Sequence, residues 1–214
     1  MMNVVLVFLM SSVLFSCGDM SLDEGSSDNL YEQRQYATGI KLISTNITNP
    51  RAENTMNQSL YTLSSTSRLL VRLEGIDKRT GNAVVDQEKR MFMAISSSDF
   101  EENKETYSSK IEVCPISKNW MMLATWERAH PFPTASGRWS QRGGDILEGE
   151  CIRSDLTYKD PLSNTIYFDV SDWFIYYVKS RGENFGLMVK SSTVINLYGD
   201  ADLTSGPRFI WQAR

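Results

Sequence analysis

The chain has 214 residues, with 22 Lys and Arg against 26 Asp and Glu, a net charge of −4 at neutral pH. That balance shows no basic footprint, so a nucleic-acid partner is not expected. Apolar residues make up 41% and aromatics 11%, the composition of a globular domain, in a chain long enough to bury a sizeable core.

The first predicted element is a leader. Met1 to Ser16 carry no charge and are mostly Val, Leu, Phe and Met. The apolar run from Val4 to Phe15 is shorter than the roughly 20 residues of a bilayer span and fits the roughly 7–15 of a signal-peptide core. It ends in Leu14-Phe15-Ser16-Cys17, followed by polar Gly18-Asp19. This stretch resembles the lipobox of bacterial lipoproteins. The resemblance implies cleavage before Cys17, acylation of Cys17 and a membrane partner reached through the lipid anchor. Gly18 resembles the exported form, which places the protein at the cell envelope, at the outer membrane on its periplasmic or surface face. Residues 1–16 are then the signal peptide, and residues 17–34 the lipidated Cys and a Ser-, Asp- and Gly-rich flexible tether. Residues 35–214 are the domain.

With Cys17 taken by lipid, Cys114 and Cys151 remain. Outside the cytoplasm the compartment is oxidising, so a disulfide between them is expected, the alternative being two separate thiols. Loop closure would contribute roughly 4 kcal/mol. Metal binding has little to work with, since no CxxC pair exists and the chain has a single His, His130.

From Gln35 onward the signal is β. Ala37–Asn46 is a short apolar-polar mix, and Thr48–Leu60 is Asn-rich and reads as a loop. Ser67–Glu74 alternates Leu69, Val71 and Leu73 against Arg68, Arg72 and Glu74, a half-buried strand. A turn follows at Lys78–Asn82, then a strand over Lys89–Ser96 with Met91, Met93 and Ile95 on one face. Lys110–Ile116 and Trp120–Trp126 read as further strands, and Pro115 marks an edge or a strand end. Pro131, Pro133, Gly137, Gly143 and Gly144 make 129–152 a long loop or insertion. Thr165–Val170 is a strand. Val170, Trp173, Phe174, Tyr177 and Val178 then fall at helical spacing, with Ser171 or Asp169 to cap and Gly182 to stop, which predicts one short helix over 171–180. Phe185–Lys190, Ser192–Tyr198 and Pro207–Ala213 close the domain as strands. Many short strands with one helix predict an all-β, jelly-roll-like antiparallel β-sandwich.

Five segments in order resemble the DNRLRE-type domain, a carbohydrate-binding-module-like β-sandwich. They are Arg68–Leu73, Leu123–Arg128 with Pro131, Phe168–Trp173, Glu183–Met188 and Gly206–Ile210. The resemblance implies a jelly-roll domain outside the cell, and some relatives bind acidic polysaccharides. Trp126, Trp173, Phe185 and Trp211 are expected in the core. Arg68 and Arg72 are expected in ion pairs at the sandwich edge, and Asn184-Phe185-Gly186 at a tight turn.

Catalysis finds little support in these residues, and no cofactor is implied. His130 has no nucleophile motif beside it. Asp145, Glu148 and Glu150 are the carboxylates that a polysaccharide-degrading enzyme would use, set against a solvated loop. Asp200–Thr204 begins like a calcium loop but lacks the required Gly, so a plain turn is the competing reading. The best surface candidate is the insertion, where His130, Phe132, Arg138, Trp139 and Arg142 combine aromatic and basic groups. Rings stack on sugars and guanidiniums pair with carboxylates, so an acidic polysaccharide or an envelope protein is the expected partner. The competing reading folds Phe132 and Trp139 back as a small core. The chain therefore reads as a non-catalytic envelope lipoprotein with a binding or structural role.

Overall fold

A computed structural model of the chain describes residues 41–49, 58–75, 89–132, 134–154, 164–201 and 205–213. All belong to the unit Tyr31–Arg214. The leader, Cys17, the tether, the Lys78–Asn82 turn and the Trp211 side chain lie outside the described residues.

Among the described residues nine strands form antiparallel sheets, the all-β sandwich that the alternation predicts. Strand β1 (Lys41–Thr48) pairs with β3 (Ser67–Glu74), β3 with β7 (Leu187–Ser191), and β7 with β5 (Ile111–Pro115), giving the order β1-β3-β7-β5. The second sheet sets β4 (Lys89–Ser96) between β6 (Thr165–Asp169) and β9 (Arg208–Ala213). A two-stranded ribbon joins β2 (Leu60–Leu63) to β8 (Ile195–Tyr198). β5 is an edge strand that ends on Pro115, where a missing N–H costs no ladder bond.

The period-2 pattern explains the main core. Leu69, Val71 and Leu73 of β3, Val113 of β5 and Val189 of β7 meet Met91, Met93 and Ile95 of β4, with Ile166, Phe168 and Phe209. Side chains alternate across a strand, so the residues between these point to the opposite face.

Among the described residues two α-helices are present where the sequence predicts one. The added helix, α1 (Phe100–Ser108), buries only its end residues Phe100 and Ser108, so it shows no apolar stripe. The expected helix is α2 (Ser171–Trp173), continued by a π-helical stretch over Phe174–Arg181. Asp169 accepts hydrogen bonds from the Ser171 N–H at 3.0 Å and the Ser171 hydroxyl at 2.6 Å, fixing its start. Gly182 stops it in the left-handed region at φ 72°. Burial opposes ionisation of Asp169, but the Ser171 hydroxyl and N–H and the Arg90 guanidinium outweigh it and hold the carboxyl below its usual range.

Candidate functional site

The outer face of the four-stranded sheet is apolar too, so the sheet needs a cover. Ile43 and Ile47 of β1, Leu70 of β3 and Met188 of β7 point outward and are buried. The chain leaving β5 supplies that cover. Ile116, Trp120, Ala124, Trp126, Ala129 and Trp139 pack on these four residues as a second core. The expected strand over Trp120–Trp126 is therefore corrected: these residues form turns, and burial alternates irregularly because the segment bends over a surface instead of joining a ladder. The insertion also begins earlier than 129, directly after β5.

The cover is fastened at its base. Ser117 N–H donates to the Asp145 carbonyl at 2.9 Å, and Leu147 N–H to the Pro115 carbonyl at 3.0 Å. Val113 and Ile152 exchange backbone bonds of 3.0 and 2.7 Å. The returning chain thus runs along the exposed edge of β5 and satisfies part of it. Cys114 and Cys151 form the expected disulfide at this closure, with Cα atoms 4.1 Å apart. Glu112 lies near the two sulfurs, but both sulfurs are bonded to each other and Glu112 faces Lys190 at 3.2 Å, so the cluster is no metal centre.

Two arginines lock the cover to the sheet. Arg68 lies over the Trp126 ring at 4.9 Å and donates to the Gly143 carbonyl at 2.9 Å. Arg72 lies over the Trp120 ring at 4.9 Å and donates to the Asn119 side chain at 2.8 Å and the Trp120 carbonyl at 3.0 Å. Each stack contributes on the order of 0.5–2 kcal/mol. Arg72 does pair with Glu74 at 3.2 Å, as expected. The expected edge position is corrected, because β3 is an interior strand and both guanidiniums face the cover. Burial lowers the Arg68 pKa, with Glu148 opposing it. Gly143 is required here: at φ +86°, a Cβ would lie 2.8 Å from the Trp126 ring.

The expected surface cluster divides. Trp139 is buried, 6% exposed, and its indole N–H donates to the Thr125 carbonyl at 2.8 Å. Its reading as an exposed stacking ring is corrected: the ring sits under the cover, facing the sheet. Phe132 takes the opposite course and is 58% exposed. Arg138 and Arg142 are exposed, and His130 is half-buried, its backbone N–H donating to the Gly137 carbonyl at 3.1 Å. Trp126 and Trp173 are core residues as expected, and Phe185 is partly buried against the second core.

The loop carboxylates are used locally. Asp145 accepts the N–H groups of Ser140 at 2.9 Å and Gln141 at 2.8 Å, closing a turn. Glu150 accepts the Tyr177 hydroxyl at 2.6 Å. Burial, then Glu150 and Tyr176, push that phenol up to about 12 against the pull of Arg181. Glu148 is exposed.

A second polar cluster joins β1, β2 and the turn after β8. Tyr61 donates to Asp200 at 2.6 Å, and Ser44 donates to the other oxygen at 2.9 Å. Burial, then the bond to Asp200, raise the Tyr61 pKa, so the phenol stays a hydrogen-bond donor at neutral pH. Asp200, considered above for calcium, is thereby engaged, and 202–204 lie outside the described residues. No pattern local in sequence links Ser44, Tyr61 and Asp200, so only the fold reveals them. No family model matches the chain, and no curated protein matches it.

Proposed function

We propose that the chain is a non-catalytic lipoprotein of the bacterial cell envelope, held at the outer membrane by acyl groups on Cys17. In this reading its DNRLRE-like jelly-roll domain is a binding or structural module for an acidic polysaccharide or an envelope protein. The observation that carries the reading is the disulfide-closed cover with its arginines outward. A Cys114–Cys151 bridge suits an oxidising compartment, and Arg138 and Arg142 suit an anionic partner. Asp145 and Glu150 accept hydrogen bonds within the protein, which favours architecture over glycoside hydrolysis.

The test is fractionation of cells expressing wild-type and Cys17→Ala protein. The wild type should partition with membranes, with a mature mass that starts at an acylated Cys17. Cys17→Ala should appear in the soluble fraction, and membrane retention of this variant at the wild-type level overturns the reading. A glycan array then separates a polysaccharide ligand from an envelope protein.

A further inference from the structure

Among the described residues seven large apolar side chains are exposed, and four lie in the cover: Met121, Met122, Leu123 and Phe132. Met121 is 42%, Leu123 49% and Phe132 58% exposed. The stretch from Lys118 to Arg142 holds four cations, Lys118, Arg128, Arg138 and Arg142, against the single carboxylate Glu127, in a chain of net charge −4.

Hydrogen bonds bring Met121, Phe132, Lys118, Arg128 and Arg138 close together. Met121 N–H donates to the Ala129 carbonyl at 2.9 Å. Arg128 donates to the Phe132 carbonyl at 3.0 Å and pairs across an antiparallel bridge with Arg138. The Lys118 ammonium donates to the Arg138 carbonyl. Exposed apolar side chains and cations are therefore neighbours in the cover.

We propose that this surface contacts a bilayer bearing anionic phospholipid headgroups. The proposal rests on the membrane location in the reading above, and adds a contact made by the domain itself. The chemistry separates a bilayer from a glycan. The cover's Trp120, Trp126 and Trp139, the rings best suited to stack on sugars, face the sheet. What faces outward is thioether and aliphatic, with one phenyl ring. Such side chains enter the boundary between headgroups and acyl chains, while guanidiniums sit at the phosphates. The acyl groups on Cys17 supply the attachment, and the basic, apolar-tipped patch sets how the domain lies against the bilayer.

The test uses the chain from Tyr31 onward, which contains both cores and every described element. Sedimentation is measured with vesicles of phosphatidylcholine alone and with a quarter phosphatidylglycerol. Binding should require phosphatidylglycerol and weaken as salt is raised. Each basic residue near the surface is worth about five-fold, so Arg138→Glu with Arg142→Glu should lower partitioning by about 25-fold or more. Leu123→Asp with Phe132→Asp should also lower it. All four side chains are exposed, so melting temperatures should hold, and they are measured alongside. No binding to phosphatidylglycerol vesicles, or equal partitioning of folded variants, overturns the proposal. So does binding to an acidic polysaccharide or a protein in its place. The chain tested lacks Cys17, so any of these results leaves the lipoprotein reading to the Cys17→Ala fractionation.

Discussion

Replacing Trp139 by Ala tests whether the cover is a core or a ligand surface. The ring lies in the second core with Trp120, Trp126 and Met188, and is 6% exposed. Removing a buried large aromatic costs about 3–5 kcal/mol through lost transfer energy and the cavity left behind. The Thr125 carbonyl also loses its partner at 2.8 Å, though water can reach it once the cavity opens. For a domain of this size each kcal/mol shifts the melting temperature by about 2–4 °C. Trp139→Ala should therefore lower Tm by about 6–20 °C, read by circular dichroism or calorimetry, and Trp139→Phe by less. The disulfide-closed cover also has a route to local opening, which would appear as faster amide exchange in 116–147 before global unfolding. A variant that melts within a degree or two of wild type but loses ligand binding would refute the reasoning. It would put Trp139 back on the surface.

Other consequences can be checked separately. Removing the Cys114–Cys151 bridge frees a loop of sequence separation 37, and the double Cys→Ala variant should lose about 4 kcal/mol in urea unfolding; two thiols alkylated in the native, unreduced protein would contradict the bridge itself. Tyr177 is pushed up to about 12 and Tyr61 is raised as well, whereas an unfolded Tyr titrates near about 10. The folded state thus holds these protons longer, so their contribution is fully present below about pH 10 and is lost as pH rises through the folded values. Tyr61→Phe and Tyr177→Phe should flatten the alkaline fall in stability, and an unchanged slope would dismiss both bonds. Gly186 has φ +85°, and a Cβ there would lie 2.3 Å from the Val71 carbonyl oxygen. Backbone cannot yield as a flexible side chain does, so Gly186→Ala should cost about 2–4 kcal/mol from strain and overpacking, measured as a lower urea midpoint.

Much of the sandwich was legible because its strands follow the pleat. Met91, Met93 and Ile95 face one core, and their spacing of two says so directly. The helix after Asp169 was equally readable from Val170, Trp173, Phe174, Tyr177 and Val178, with Gly182 as its stop. Helix α1 was not, since Glu101, Glu102, Lys104, Glu105 and Thr106 show no buried face and only Phe100 and Ser108 are buried. Trp120–Trp126 misled for a related reason. A short apolar run looks the same whether it joins a ladder or lies over a sheet, and the exposed Met121–Leu123 between buried Trp120 and Trp126 has neither period. Arg68 and Arg72 read as ion-paired residues at the sandwich edge because charged residues usually stay near solvent. Here the guanidiniums bury against indole rings and satisfy carbonyls, which sequence spacing cannot show. The aromatic and basic types of 129–152 were visible, but their partition was not: Trp139 went inward and Phe132 outward.

The most direct measurement of the central claim, that residues 116–147 are a packed cover on the outer sheet face, is native-state hydrogen exchange of the oxidised protein. The amides of Met121, Ala129, Trp139 and Gly143, which donate to Ala129, Gly137, Glu127 and Trp126 respectively, should be protected together, alongside those of β3 and β7. Exchange of these four at the rate of unstructured chain, with the strands still protected, would contradict the account and leave the segment as a solvated loop.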